Sequence, residues 1–500
     1  MFSPRRIMVF SLVLGGALRS YGLGSESLWV DESSTARRMG LSFVELFFDM
    51  GSSSQTPLYF WISKAWCTLA GMGEIALRTP ALIFGVALIP AVFVLGRELI
   101  DRNVGAWGSF LTAINPYLIH YSQEARPYSL LALLSVVSWW LLIRWMRSGR
   151  SADLVLFLTA TIGVLYTHPF GILILPTHLA VLLLVYPEVR ERLTESDLRW
   201  LLRGMELSGL LYLPLLYRMA LGFRGKLSGG SVAAWIPDPA WLAPVHTFER
   251  YFMNQELTLS VLVLCAIALV QGIRRGGGTR RLLLLAISAW MAFAWLPWLV
   301  SKTLSPVYFH RYTMPFLPLV TLLAGSALAR MPNWGRRASV LVILALSFSP
   351  LYRYHTLYDK APVREVFRAI HERLDPGDVV ILDTVWTNHL LTYYLPLPEG
   401  ATQVRPRSLR DLDGPLANAK EIWLITWEEG DVGVEDYFLS ERTSDWTLRS
   451  RQALSESPLR NPRAFTFQRI TISQFSKTPT APSPQPVSVP EDHFDRSLEE

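Results

Sequence analysis

Long apolar runs separated by short polar stretches occupy most of the chain up to residue 352. A membrane-spanning helix needs about 20 apolar residues, and fewer where the flanking side chains reach the interface. The runs of suitable length are residues 7–21, 80–99, 104–120, 127–146, 152–167, 170–186, 198–219, 257–273, 281–300, 312–330 and 337–352. This pattern predicts an all-α polytopic membrane bundle of about 11 transmembrane helices.

One further apolar stretch, residues 58–71, decides the orientation of everything after it. It is short, carries Lys64 near its middle and contains Trp61 and Trp66, which suit the lipid headgroup layer. If it does not span, the Arg-rich loops, such as residues 274–280, fall on the cytoplasmic side, as the positive-inside rule requires. We therefore predict an interfacial helix here, a cytoplasmic N-terminus and a C-terminus on the outer face.

Beyond residue 352 the pattern changes to that of a water-soluble domain. Residues 363–374 have helical spacing, residues 375–377 form a turn, and residues 378–382 and 421–426 read as buried strands. We predict three parts: a transmembrane catalytic domain (1–352, including an outer loop at 22–79), a small outer α/β domain (353–475) and a disordered Pro- and Ser-rich tail (476–500).

Composition supports a membrane protein and limits other classes. The chain of 500 residues is 51% hydrophobic and only 18% charged, and its mean hydropathy is +0.27. The formal charge of +6 comes with Arg clusters between apolar runs, which argues against nucleic-acid binding. Cys67 and Cys265 lie in separate apolar stretches, so neither a disulfide framework nor a cysteine metal site is expected.

The adjacent carboxylates Asp31 and Glu32 follow the first apolar run, on the predicted outer side. Asp31 could act as a general base on an acceptor hydroxyl, or it could cap a helix beginning near Ser33. Glu32 could orient the acceptor, tune the pKa of Asp31, or favour a helix N-terminus. The residues alone leave these alternatives open.

The predicted topology brings other polar residues to the same side. A polyprenyl-phosphate leaving group would need cationic neighbours in a partly dehydrated site. Arg126 and Glu124 could serve such a site or form a local pair in a tight turn, and His168 could be a site residue or a structural one. The candidates for donor phosphate and substrate binding are Glu124, Arg126, Tyr128, His168, Lys302, His310, Arg311 and Tyr312.

Five short motifs together carry a family resemblance. They are Trp29-Val30-Asp31-Glu32, Gln55-Thr56-Pro57-Leu58-Tyr59, the run from Tyr121 to Tyr128 (YSQEARPY), Thr167-His168, and Arg311-Tyr312 followed by Pro315. In this combination the chain, to about residue 395, resembles the GT-C membrane glycosyltransferases. The branch is that of protein O-mannosyltransferases, the lipid A aminoarabinose transferase and lipopolysaccharide core galacturonosyltransferases.

The resemblance implies an integral membrane glycosyltransferase of the bacterial inner (cytoplasmic) membrane. It would transfer a sugar, with inversion, from a polyprenyl-phosphate donor to a hydroxyl of a protein, lipid or polysaccharide acceptor on the periplasmic or extracellular side. Asp31 would be the catalytic base with Glu32 beside it, Arg126 and Arg311 would contact the donor phosphate, and Glu124 would belong to a second active-site loop.

The resemblance also bears on cofactors and alternatives. Oligosaccharyltransferase relatives use a divalent metal, whereas this branch does not clearly require one, so we assign no metal ligands and leave a divalent cation open. The alternative function is a flippase or transporter of lipid-linked sugars, which predicts charges near the bilayer midplane and two similar halves. The charges instead collect at one face, which favours the enzyme.

Overall fold

The structure is a computed structural model that describes residues 3–49, 55–227, 236–275, 277–356, 363–383, 388–395, 397–404, 406, 408–427, 433–441, 446–455 and 469–477. The chain divides into two compact units. The first consists of Met1–Leu23 and Arg38–Tyr352, and the second of Gly24–Arg37 and Arg353–Glu500. Most of the predicted tail, residues 478–500, lies outside the described residues.

Helices make up the first unit. In chain order the helices up to the end of this unit are α1 (Pro4–Ser20), α2 (Val30–Met39, beginning in the second unit), α3 (Phe43–Phe48), α4 (Leu58–Ala70), α5 (Glu74–Leu99), α6 (Arg102–Ile114), α7 (Pro116–Ser122), α8 (Tyr128–Ser148), α9 (Ser151–Thr167), α10 (Ile174–Val189), α11 (Glu195–Leu227), α12 (Ala243–Phe252), α13 (Gln255–Arg275), α14 (Gly277–Trp290), α15 (Leu296–Thr303), α16 (Leu317–Arg330) and α17 (Asn333–Thr356). Short 3₁₀ segments, Pro169–Leu173 and His310–Phe316, lead into α10 and α16, and a π-helical turn, Met291–Trp295, joins α14 to α15.

Within the described chain, six helices are long and apolar enough to cross a membrane. They are Glu74–Leu99, Tyr128–Ser148, Pro169–Val189, Gln255–Arg274, Gly277–Thr303 and His310–Arg330. Five of them contain a predicted span in full, and Tyr128–Ser148 covers all but the first residue of the predicted span 127–146. The chain is thus a multi-pass helical membrane protein, as predicted, and the total of about eleven spans stays a prediction.

The predicted span at residues 104–120 is wrong in detail, because it consists of two helices. The chain breaks at Asn115, whose extended backbone follows from the steric effect of the next residue, Pro116. The Asn115 side chain then accepts the backbone N–H of Leu118 at 2.9 Å and so caps α7. The break leaves carbonyl groups at the end of α6 without helical partners.

Arg19, the charge that interrupts the first apolar run, satisfies these carbonyls. Its guanidinium is fully buried and donates to the carbonyl oxygens of Ala113 (2.8 Å) and Thr112 (3.1 Å). In return, the side-chain amide of Gln123 donates to the carbonyl oxygens of Arg19 (2.9 Å) and Tyr21 (2.6 Å) at the end of α1. Arg19 thus satisfies carbonyl groups at the C-terminal end of α6, and Gln123 satisfies those at the C-terminal end of α1. Together these bonds fix the turn after α7.

Close backbone approach holds α6 against α16. A Cβ placed on Gly325 would lie 2.5 Å from the backbone nitrogen of Gly108, so neither helix could come this near with larger residues. Small residues at such crossings are the usual means by which membrane helices pack. The Thr112 and Thr321 hydroxyls, 2.8 Å apart, add a polar contact between the same two helices.

The short apolar stretch at residues 58–71 forms α4. The Lys64 ammonium donates to the carbonyl of Met39 at 2.9 Å, and the Trp61 indole N–H donates to the carbonyl of Phe43 at 2.9 Å. At 13 residues α4 is well short of a span. Its interfacial location stays a prediction.

The second unit contains a mixed five-stranded sheet. Its elements are α18 (Val363–His371), β1 (Val379–Asp383), α19 (Asn388–Tyr394), β2 (Thr402–Val404), α20 (Asp413–Ala417), β3 (Glu421–Trp427), α21 (Val434–Asp436), β4 (Trp446–Ser455) and β5 (Arg469–Lys477). The strand order is β2-β1-β3-β5-β4, in which β1 runs parallel to β2 and β3, and β5 runs antiparallel to β3 and β4. The predicted α/β character and both predicted strands are confirmed.

Candidate active site

Asp31 and Glu32 lie in the first turn of α2, which begins at Val30. The helix therefore starts earlier than the position near Ser33 that the capping alternative for Asp31 assumed. Glu32, fully buried, accepts the backbone N–H of Trp29 at 3.4 Å. Glu32 is the third residue of the helix and Trp29 is the residue before it, so this contact is the Glu half of a capping box. Glu32 thus carries a capping contact, and the Asp31 side chain is half-buried.

The turn between α7 and α8 holds the second acidic candidate. Glu124 is 3% exposed, and one of its carboxylate oxygens lies 3.1 Å from Nε2 of His120, four residues earlier. The turn closes through a 2.7 Å hydrogen bond from the backbone N–H of Arg126 to the carbonyl of Glu124. Glu124 thus has a polar partner on α7, His120.

Arg126 and Arg311 meet at one aromatic ring. Their guanidinium carbons lie 6.0 Å and 5.6 Å from the centroid of the Tyr128 ring. Both arginines are nearly buried, 3% and 5% exposed, and Arg311 also lies 4.8 Å from the ring of Phe309. The aromatic faces stabilise the two cations, and an anionic group beside two nearly buried cations is favoured.

His168 completes this cluster. Its ring centroid is 4.8 Å from that of Tyr312 and 5.9 Å from that of Tyr128. We call Arg126, Tyr128, His168, Arg311 and Tyr312 the arginine–aromatic cluster. Its members come from the turn before α8 and the first residue of α8, from the segment after α9 and from the segment before α16; these three parts of the chain are distant in sequence.

His168 is held in its neutral form. Burial, followed by the positive charges of Arg126 and Arg311, lowers the pKa of His168 to about 3. Its Nδ1 accepts the backbone N–H of Phe170 at 3.2 Å, so the proton of the neutral ring is on Nε2. His168 is therefore a hydrogen-bond donor and acceptor here, not a cation.

His310 lies beside the cluster and contacts a tyrosine outside it, Tyr117. Its Nδ1 is 2.7 Å from the hydroxyl of Tyr117. Among the described residues, Nε2 of His310 has no hydrogen-bond partner. Tyr117 in turn packs edge-on against Tyr121, with ring centroids 4.7 Å apart, and Tyr121 packs against Tyr128 at 5.1 Å.

Lys302 has a different setting from the other predicted cations. Its ammonium forms a 2.7 Å ion pair with Asp238 and lies 5.2 Å from the ring of Trp241. None of the contacts recorded for the described residues joins Lys302 to the arginine–aromatic cluster. Its charge is therefore already matched by a carboxylate.

Of the predicted site residues, the structure brings five together in the cluster, with Glu124 and His310 in contacts around it and Lys302 apart. Asp31 and Glu32 belong to the other compact unit. Sequence reasoning missed His120 and Tyr117, and it named Tyr121 only as part of a motif. The signal for His120 was its spacing, because a residue four positions before Glu124 faces it on a helix.

The described residues contain no group of three or more His, Cys, Asp or Glu side chains that could hold a metal ion.

Residues 54–217 match the family model described as dolichyl-phosphate-mannose-protein mannosyltransferase. No curated protein matches the chain by sequence.

Solved structures show a similar fold. The apo crystal structure of ArnT from Cupriavidus metallidurans matches with a TM-score of 0.60 and 12% identity, covering 93% of this chain and 97% of ArnT. ArnT bound to undecaprenyl phosphate matches with a TM-score of 0.57, 12% identity and the same coverage. The oligosaccharyltransferase AglB from Archaeoglobus fulgidus, in complex with an inhibitory peptide and a dolichol-phosphate, has a TM-score of 0.51 and 12% identity over 84% of this chain and 69% of AglB.

These matches agree on the type of fold. The fold is that of membrane glycosyltransferases with multi-pass helical domains, and the family model describes a glycosyltransferase. Residues 54–217 match a glycosyltransferase family model and the fold is similar to that of ArnT, so the predicted GT-C fold is confirmed. The transporter alternative is not supported by any of these matches.

Proposed function

We propose that this protein transfers a sugar from a polyprenyl-phosphate donor to an acceptor hydroxyl, with inversion, on the outer face of the cytoplasmic membrane. The donor class is supported by the ArnT and AglB structures, which contain undecaprenyl phosphate and a dolichol-phosphate. The acceptor is a protein, lipid or glycan hydroxyl. Membrane lipids surround the spanning helices, and nucleic acid is not a partner.

The arginine–aromatic cluster carries this proposal. When the bond between the anomeric carbon and the phosphate oxygen breaks, a phosphodiester with one negative charge becomes a phosphomonoester that gains a second. Arg126 and Arg311 remain charged at any relevant pH and can bind phosphate oxygens with paired N–H groups. Because both are nearly buried, their attraction for the developing charge is screened less than it would be in water.

Neutral hydrogen-bonding groups supplement the arginines. His168 presents an Nε2 proton, because its Nδ1 already accepts a backbone N–H. His310, whose Nδ1 contacts the Tyr117 hydroxyl, offers Nε2 as a further polar atom. Glu124 orients His120 through the 3.1 Å contact between its carboxylate and Nε2. Lys302 is assigned to its pair with Asp238 rather than to the donor.

Asp31 is the proposed general base. It takes the proton of the acceptor hydroxyl while the acceptor oxygen attacks the anomeric carbon from the face opposite the phosphate, which inverts that centre. A carboxylate suffices because the phosphomonoester is a good leaving group. Glu32 supports the first turn of α2 through its contact with the backbone of Trp29. No metal is assigned a step.

The experiment is a transfer assay on membranes or detergent-solubilised protein with a radiolabelled polyprenyl-phosphate sugar and an extract of envelope acceptors. We expect transfer by the wild type and none by Asp31→Asn. Removing either cluster charge, by Arg126→Gln or Arg311→Gln, should raise the donor KM and lower kcat. Arg274→Gln, at an exposed arginine on α13, is the matched charge control and should behave as the wild type.

Two results would contradict the proposal separately. Full transfer by Asp31→Asn, with an unchanged melting temperature, would remove Asp31 as the base. Unchanged donor KM and kcat in the double variant Arg126→Gln/Arg311→Gln would remove the cluster as the phosphate site.

A further inference from the structure

The segment that carries Asp31 packs with the C-terminal part of the chain. Gly24–Arg37 and Arg353–Glu500 form one compact unit, although the apolar first unit lies between them in sequence. Residues 24–28, which lead into α2, form hydrogen bonds with α18 and α19 of that unit. These bonds hold the backbone that leads into α2.

Tyr394, the last residue of α19, holds the chain directly before α2. Its hydroxyl accepts the backbone N–H of Leu28 at 2.6 Å. Leu28 is 1% exposed, so this amide has little access to water, and leaving a buried amide unpaired would be costly. The bond therefore fixes the backbone three residues before Asp31.

Ser27 and Arg364 form a second attachment. The Ser27 hydroxyl oxygen accepts the backbone N–H of Arg364 at 3.1 Å, in the first turn of α18. Ser27 thus caps a helix that is remote in sequence, satisfying an amide that no helical carbonyl can reach. The Ser27 hydroxyl also lies 3.4 Å from a carboxylate oxygen of Glu365, to which it donates.

The Arg364 side chain binds the backbone of the same segment. Its guanidinium donates to the carbonyl oxygens of Ser25 (2.9 Å) and Gly24 (3.3 Å). Glu365 accepts from the Arg364 Nε at 2.8 Å and so keeps the guanidinium oriented. Residues 24–28 are therefore held by side-chain and backbone groups of the C-terminal part of the chain.

We propose that the C-terminal α/β domain positions the catalytic base: Tyr394 and Arg364, acting on Leu28 and Ser27, set the placement of Asp31. The inference rests on the proposed role of Asp31. Tyr394, Arg364 and Ser27 are positioning residues, since they act through the backbone that leads into α2. A displacement of about 1 Å at a reacting group can reduce the rate by up to about 100-fold, so small movements of this segment would matter.

The test uses the full-length protein with Tyr394→Phe and Ser27→Ala, each of which removes one hydroxyl. We expect kcat to fall about three- to tenfold, the worth of one hydrogen bond, with an unchanged donor KM. Hydrogen–deuterium exchange of peptides covering residues 24–37 should be faster than in the wild type. Arg368→Gln, on the exposed side of α18, is the matched control and should change neither quantity.

The outcomes separate this inference from the proposed function. Wild-type kcat and wild-type exchange in both variants overturn the positioning role, even if Asp31→Asn is inactive. A lower melting temperature with native exchange at residues 24–37 also overturns it, because the bonds would then stabilise only the C-terminal domain. If Asp31→Asn is active, the proposed base is wrong, whatever the exchange measurement shows.

Discussion

The side-chain amide of Gln123 donates to the backbone carbonyl of Arg19 at 2.9 Å, while the buried Arg19 guanidinium donates to Ser122, the residue before Gln123, at 3.2 Å. This reciprocal contact joins the end of α1 to the turn that carries Glu124 and Arg126. A charge inside the first apolar helix thus has a structural reason, and the turn of the candidate site depends on it.

Arg19→Leu should therefore destabilise the protein and disturb the turn. The carbonyls of Thr112 and Ala113 would lose their donors, and each buried unsatisfied group costs about 1–3 kcal/mol. We expect a clear drop in the melting temperature of the detergent-solubilised protein, accompanied by lower transfer activity. Arg5→Leu, on the exposed side of the same helix, is the control. Equal melting temperatures for the two variants would contradict this role of Arg19.

A second prediction separates the two acids of the motif. Gln can replace Glu at the third position of a capping box, because its side-chain oxygen still accepts the backbone N–H. Glu32→Gln should thus keep transfer within a few fold of the wild type, whereas Asp31→Asn should abolish it. Glu32→Ala, which removes the contact with Trp29, should cost about 1 kcal/mol of stability. A Glu32→Gln variant as inactive as Asp31→Asn would instead give Glu32 a direct part in the chemistry.

Local patterns predicted the elements of this fold better than their assembly. The apolar runs identified the spanning helices, and the strands at residues 379–383 and 421–427 followed from short buried runs with a turn before the first. The break at Asn115 was also encoded, since Asn before Pro is a helix start signal, but the apolar run continues through it. Apolarity alone therefore could not show where one helix ended.

The contacts between residues far apart in the chain had no comparable signal in the sequence. Nothing near Arg311 in sequence indicates that it lies against Tyr128, and nothing near Lys302 indicates its pair with Asp238. The packing of residues 24–37 with the C-terminal part depends likewise on side chains far apart in the chain. Motif resemblance selected most of the cluster, whereas the partners of each residue required three-dimensional coordinates.

A third prediction follows from the neutral state of His168. Its folded-state pKa of about 3 lies below the ordinary value of 6.5, so the unfolded chain takes up the proton first as the pH falls. The stability due to neutral His168 is complete above pH 6.5 and is lost towards pH 3, by about 1.4 kcal/mol per pH unit. We expect the melting temperature of the wild type to fall between pH 7.5 and 5 more steeply than that of His168→Gln. Parallel curves would show that His168 is not the group responsible.

The last prediction concerns the packing of α5 against the candidate turn. Gly85 approaches α7 so closely that a Cβ would lie 1.9 Å from the hydroxyl oxygen and 2.6 Å from the Cβ of Ser122. Ser122 is buried and bonded to Arg19 and to the carbonyl of Leu118, so its short side chain has no room to yield. Gly85→Ala should push α7 outward, lower the melting temperature and reduce transfer. In Gly85→Ala/Ser122→Gly the obstructing side chain is absent, so part of the activity should return. Gly16→Ala, at a helical glycine on α1 with open space around it, is the control and should change neither the melting temperature nor the transfer activity. If Gly85→Ala also left both unchanged, the contact between Gly85 and Ser122 would not set the turn.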